Sequence, residues 1–142
     1  MDTFLKIIWY AFLAVFVLQI AISHWRIFEK AGEKGWKSLI PFYNIFLSHH
    51  IVGMKHIWFA LEMIIWVFET FVITVIDLPL WFKTAFTIFA TVCTLVMEAV
   101  HTNKMGNCFG KGTWFKIGMF FMPYVFQMII AFGSSEYKKP VE

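Results

Sequence analysis

The stretch IWFALEMIIWVFETFVITVIDLPLWFKTAFTIFATVCTLVMEAV, residues 57–100, decides the fold. It contains two apolar runs, 57–76 and 81–100, parted by Asp77-Leu78-Pro79. About 20 residues of helix rise roughly 30 Å, the depth of the hydrocarbon layer of a bilayer. Inside that layer every backbone N–H and C=O must be paired within the segment, so each run is expected to be a helix. Aspartate followed by proline breaks a helix, which makes the short connection a turn.

Working outward, two further runs reach the same length, 4–23 and 114–133. The first carries Lys6 and ends Ala21-Ile22-Ser23, which superficially resembles an export signal; we read it as a retained span. Composition agrees with a lipid-solvated chain. Of the 142 residues 60% are hydrophobic and only 15% charged, against roughly 45–50% and 25% in soluble domains. The expectation is a single all-α polytopic membrane domain over 1–142 with four transmembrane helices.

The stretch 24–52 reads differently. It mixes Trp25, Trp36, Tyr43, Arg26 and several lysines, residue types that settle at the headgroup level. We expect two short amphipathic helices joined at Gly32–Gly35, an interfacial or re-entrant segment with a break at Pro41. Arg26, Lys30, Lys34, Trp36, Lys37, Lys111 and Lys116 are the candidate headgroup contacts. With four spans, eight of the basic residues share the side of the two long loops. The other four, Lys6, Lys83, Lys138 and Lys139, lie opposite. Excess Lys and Arg marks the cytoplasmic side, so the long loops are expected there and both termini outside.

An internal echo joins two distant stretches. Gly35-Trp36-Lys37 followed by Pro41-Phe42-Tyr43-Asn44-Ile45-Phe46 matches Gly112-Thr113-Trp114-Phe115-Lys116 followed by Pro123-Tyr124-Val125-Phe126. Aromatic-rich membrane helices often look alike, but broken helices at matching positions also mark binding sites in transporters.

Phe28-Glu29-Lys30-Ala31-Gly32-Glu33-Lys34-Gly35-Trp36-Lys37-Ser38-Leu39-Ile40-Pro41-Phe42-Tyr43-Asn44 resembles a signature of small bacterial multi-pass membrane proteins of unknown function. So do Phe109-Gly110-Lys111-Gly112-Thr113, Met122-Pro123-Tyr124-Val125-Phe126 and Phe132-Gly133-Ser134-Ser135-Glu136-Tyr137, placing the resemblance on 28–44 and 109–137. It implies residence in the bacterial inner membrane. Members are sometimes labelled signal-peptidase-like. That chemistry needs a serine with an unprotonated lysine base in an extracytoplasmic domain. Ser38 and Ser48 fall on the loop side. Ser134 and Ser135 sit in a tail whose lysines should stay protonated. The run Glu98-Ala99-Val100-His101-Thr102-Asn103-Lys104 departs from the family's pattern, in which an aspartate and small residues precede the lysine.

Charges within apolar spans are costly and usually face a partner or a water path. Glu62 and Glu69, seven apart, share a helix face, and Glu98 with His101 forms an E-x-x-H pair. These four residues are the candidate intramembrane polar cluster. A metal site could draw on His50, His56, Glu62, Glu98 and His101, although di-iron bundles carry two E-x-x-H motifs and this chain has one. Phe109-Gly110-Lys111-Gly112 lacks the spacing of a phosphate loop. Cys93 and Cys108 have neither metal nor disulfide spacing and read as free thiols. No complete catalytic set emerges, no cofactor is called for, and the scattered lysines do not suggest nucleic acid.

Three readings follow in order: a non-catalytic accessory or scaffold component of a membrane complex; a small oligomeric transporter or channel using Glu62 and Glu69; and a membrane-embedded metal enzyme using Glu98 and His101. The bilayer is the expected partner, with other membrane proteins or further copies of the chain beside it.

Overall fold

The computed structural model describes residues 2–140, and they are helical throughout apart from turns and the tail. Six α-helices follow in order: α1 Asp2–Lys30, α2 Tyr43–Ile51, α3 His56–Thr74, α4 Leu80–Cys108, α5 Thr113–Phe121 and α6 Pro123–Phe132, with a 3-10 helix Gly35–Leu39 between α1 and α2. Among the described residues, three helices, α1, α3 and α4, are long and apolar enough to cross a membrane. The 19 residues of α3 span about 28 Å, a close match to the hydrocarbon layer. The 29 residues each of α1 and α4 run to about 44 Å, so both also project beyond it. Several hydroxyls on these spans bond back to their own helix, as Thr70 Oγ1 does to Trp66 O and Thr84 Oγ1 to Leu80 O, so those groups need no partner from lipid.

Residues 24–30 are the last two turns of α1, not a separate interfacial helix. Nothing before Gly32 breaks the helix, and an aromatic-basic composition does not by itself end one. Gly32 ends the turn with φ 81°, a left-handed conformation suited to glycine.

Residues 35–51 form a re-entrant hairpin, as the mixed composition led us to expect. The 3-10 helix descends beside α1, where Gly35 lies so close to the Trp25 indole that a Cβ would overlap it. Ser38 Oγ donates to Ala21 O at 3.4 Å. The chain reverses at Pro41–Phe42. The Tyr43 N–H reaches back to Pro41 O at 2.7 Å around Phe42, whose φ is 62°. This tight three-residue turn is a strained one for a residue with a Cβ and costs about 1–3 kcal/mol. The Phe42 ring meets Trp66, well inside α3, and α2 then returns to the level of Ile51, whose carbonyl accepts from the Tyr137 hydroxyl.

The stretch 114–133 also differs from expectation: it is a second hairpin, not a fourth span. α5 and α6 are short, about 14 and 15 Å, and the helix breaks at Met122, with Pro123 opening α6 where a missing N–H is harmless. Phe115 and Phe126 pack edge to face at 4.8 Å, possible only if the limbs fold together. Gly118 is what lets the Phe126 ring in, because a Cβ there would overlap it. The apex sits beside Phe16, which packs on Tyr124 at 4.7 Å, about midway along α1. The far end of α6 comes back to the end of α1: Lys30 Nζ donates to Ile130 O at 2.6 Å, Gly133 O at 2.6 Å and Ser135 O at 3.2 Å. Lys138 N–H donates to Cys108 O at 2.7 Å.

Both hairpins therefore enter from one end of the bundle, and the C-terminal tail lies at that same end. Lys138 and Lys139 move with it. Lys6 and Lys83 alone remain at the far end, facing the other ten lysine and arginine residues of the 12. The buried apolar core sits at the hairpin end too, where Phe28, Leu47, Val52, Met105, Met119 and Ile130 meet. Single cysteines at the exposed positions Asn103 and Glu136, in a chain without Cys93 and Cys108, should react with an impermeant thiol reagent from one membrane side. A cysteine at Asp77 should react from the other. A crossing helix at 114–133 would instead put positions 103 and 136 on opposite sides.

Candidate functional site

The two hairpins reach only about halfway along the long helices, and their return limbs carry polar residues into the space between α1 and the α3–α4 pair. Each limb has an apex proline followed three or four residues later by an amide side chain: Asn44 after Pro41, Gln127 after Pro123. A cavity of about 310 Å³ forms there. α1 supplies Ile20 and His24; α2 supplies Asn44, Ile45, Ser48 and His49; α3 supplies Glu62; α4 supplies Met97, Glu98 and His101; α6 supplies Tyr124 and Gln127. Glu62 lies six residues into α3, and Glu98 ten before the end of α4, so the cavity is about 10–15 Å from the hairpin end.

The hydrogen bonds fix much of the chemistry. His49 Nδ1 lies 2.9 Å from Ile45 O, and His24 Nδ1 lies 2.9 Å from Ile20 O. A carbonyl oxygen only accepts, so in each ring the proton is on Nδ1 and Nε2 is the free nitrogen. His49 Nε2 sits 3.3 Å from Glu62 Oε2, at ion-pair distance but without hydrogen-bond alignment. His101 is buried and shares a 2.9 Å hydrogen bond between Nε2 and Ser48 Oγ, while its ring lies 5.1 Å from that of His49. Thr102 Oγ1 donates to Glu98 Oε1 at 3.1 Å. Asn44 Oδ1, Glu62 Oε2 and Gln127 Oε1 are buried acceptors without a hydrogen-bond partner.

Of the residues singled out from sequence, Glu62, Glu98 and His101 meet at this cavity. Glu69 does not line it; one heptad further along α3, it lies about 10 Å beyond Glu62. His50, on the other face of α2, and His56, which opens α3, stack with Phe46 at 6.3 and 5.1 Å. They border a separate surface cleft with Lys55, Lys104 and Lys139. Among the described residues no three His, Cys, Asp or Glu side chains are placed to hold a metal ion. The five residues considered together for a metal are thus divided between two places. His24, Asn44, Ser48, His49, Tyr124 and Gln127 join the site only because the hairpins fold back. Of these six, only Asn44 and Tyr124 fall within the echo between the two proline segments.

The candidate headgroup residues are placed at the hairpin end, most with partners inside the protein. Lys30 holds the end of α6. Arg26 pairs with Glu29 at 3.4 Å, and Lys116 with the Asn107 side chain. Lys111 lies over the Phe115 ring. Lys37 donates to Glu33 at 2.5 Å, a hydrogen bond that raises the lysine's pKa. Lys34 and Trp36 are exposed. Burial raises the pKa of the Tyr137 hydroxyl, which stays protonated and donates to Ile51 O.

A family model described as "Family of unknown function (DUF5684)" matches residues 36–140, well over half of the chain. No curated protein and no solved structure matches. Neither comparison supports a signal-peptidase label.

Removing Ser48 Oγ strands the buried His101 Nε2, and an unmade buried hydrogen bond costs about 1–3 kcal/mol. Ser48→Ala should therefore lower the unfolding temperature in detergent by several degrees, with Ser48→Thr nearer the parent. An unchanged midpoint for Ser48→Ala contradicts the pairing.

Proposed function

Because the chain belongs to DUF5684, a family of unknown function, its role has to come from its own cavity, and we propose that it is a small membrane transporter or channel for a small polar solute. One observation carries the reading. Five helices bring nine polar side chains to one cavity inside an otherwise apolar bundle, where polar and charged groups are retained at a cost. Two broken re-entrant segments meeting at a half-depth site are the arrangement by which transporters build binding sites. Glu62 and Glu98 are the acidic groups of the proposed pathway, in place of the Glu62 and Glu69 pair. Ten of the 12 basic residues share the hairpin end, which supports placing that end in the cytoplasm of a bacterial inner membrane.

An accessory role is the second reading, and α1 favours it. In its first half Ile7, Ile8, Trp9 and Tyr10 are each at least half exposed. Four consecutive residues point in all directions round a helix, so this part has neighbours only in lipid, another membrane protein or a second copy.

Purified protein in liposomes decides between them. Flux is followed by osmotic swelling in small neutral solutes and by tracer exchange for ions. Transport above protein-free vesicles is expected, and Ile20→Trp, which fills the cavity, should cut it at least tenfold. Rates equal to empty vesicles for every solute tested contradict the transport reading and leave the accessory one.

A further inference from the structure

We infer that the cavity binds a small organic cation carrying N–H donors, and that the cation and a proton compete for one place, between Glu62 and His49. This rests on the transport reading and names its substrate class.

The unpaired atoms set the polarity of the occupant. Asn44 Oδ1, Glu62 Oε2 and Gln127 Oε1 present acceptors from three different helices, so a molecule that donates satisfies all three together. Charge points the same way. The titratable groups facing the space are His24 from α1, His49 from α2, Glu62 from α3, Glu98 and His101 from α4, and Tyr124 from α6. No lysine or arginine among the described residues lines it, so the two carboxylates have only histidines to offset them. A bare metal ion is poorly served, since no three His, Cys, Asp or Glu side chains among the described residues converge as ligands. An ammonium or guanidinium group suits it better. Its N–H donors match carboxylates and amide oxygens without a fixed coordination shell. A volume of about 310 Å³ is at the small end of ligand cavities.

The exchange follows from His49. Its Nδ1–H is committed to Ile45 O, so Nε2 faces the Glu62 carboxylate across 3.3 Å, and one proton can be held between the two groups. A cation donating to Glu62 takes the place of that proton. The proton leaves to water, and the net charge of the site is unchanged. One cation enters for one proton released.

Guanidinium is the probe, because it stays charged at every accessible pH. Calorimetric titration of the detergent-solubilised full chain with millimolar guanidinium, in two buffers of different ionisation heat, counts protons released. We expect one per cation, and an apparent Kd that falls up to tenfold per pH unit while the pair holds its proton. Glu62→Gln should weaken binding at least tenfold and abolish proton release. His49→Gln should bind without releasing a proton. Glu69→Gln, outside the cavity, should match the parent. Size-exclusion profiles identify any variant that fails to fold, and either of the two cavity variants is sufficient. No binding, or binding without proton release in the parent, overturns the inference. If liposomes swell in neutral solutes while guanidinium neither binds nor moves protons, transport stands and the cation is wrong. If guanidinium binds with proton release while no solute crosses, the site stands and transport falls.

Discussion

The Lys30 ammonium is the contact on which the rest of the bundle depends. Its three donors are taken by three carbonyls, those of Ile130, Gly133 and Ser135. The last carbonyls of a helix have no intrahelical partner, and at a membrane boundary they must find one. By supplying it from the end of α1, Lys30 ties the end of α6 to the side from which α5 set out. Residues 113–132 then have to turn round inside the membrane. The limbs of the hairpin can lie together because Gly118 admits the Phe126 ring. The first hairpin meets the same demand with other groups: Gly35 against Trp25, Ser38 Oγ on Ala21 O, and the turn around Phe42.

Two half-depth hairpins leave a bundle with unequal halves. At the hairpin end, six helices and a 3-10 turn enclose an apolar core. Toward the other end only α1, α3 and α4 continue, and α1 makes no extended packing with the other two. The cavity lies where these halves join. Its polar lining comes from the return limbs and His24 of α1 on one side and from α3 and α4 on the other. Each long helix meets the return limb of the other hairpin. Lys30 and Phe16 of α1 contact α6, and His101 of α4 contacts Ser48 and His49 of α2.

The membrane class and the two central spans were legible because about 20 apolar residues closed by Asp77 and Pro79 have few other readings. The dip at 35–51 was legible from Pro41 and from polar residues too numerous for a span. The second hairpin was not, since 20 apolar residues fit one crossing helix as well as two half-length limbs. Apolarity cannot tell these apart. Pro123 alone suggests only a kink, and the likeness of 112–126 to 35–46 fits both a second hairpin and the general resemblance of aromatic-rich membrane helices. Glu62, Glu98 and His101 stood out as charged or ionisable groups in apolar surroundings. Glu69 shares a face with Glu62, but a helical wheel ignores depth, and Glu69 is a heptad too far along. His24, Asn44, Ser48, His49, Tyr124 and Gln127 owe their place to chain reversal, which no local pattern encodes.

The central claim is that α6 is a return limb with one face on a polar cavity and the other on lipid. Spin labels at position 127, which lines the cavity, and at 125 and 129, which are nearly half exposed, test it most directly by power saturation in liposomes. The account predicts greater accessibility to a polar nickel chelate at 127 and to oxygen at 125 and 129. Equal, oxygen-dominated profiles at all three positions would contradict it, because a lipid-embedded crossing helix presents no wet face at that depth.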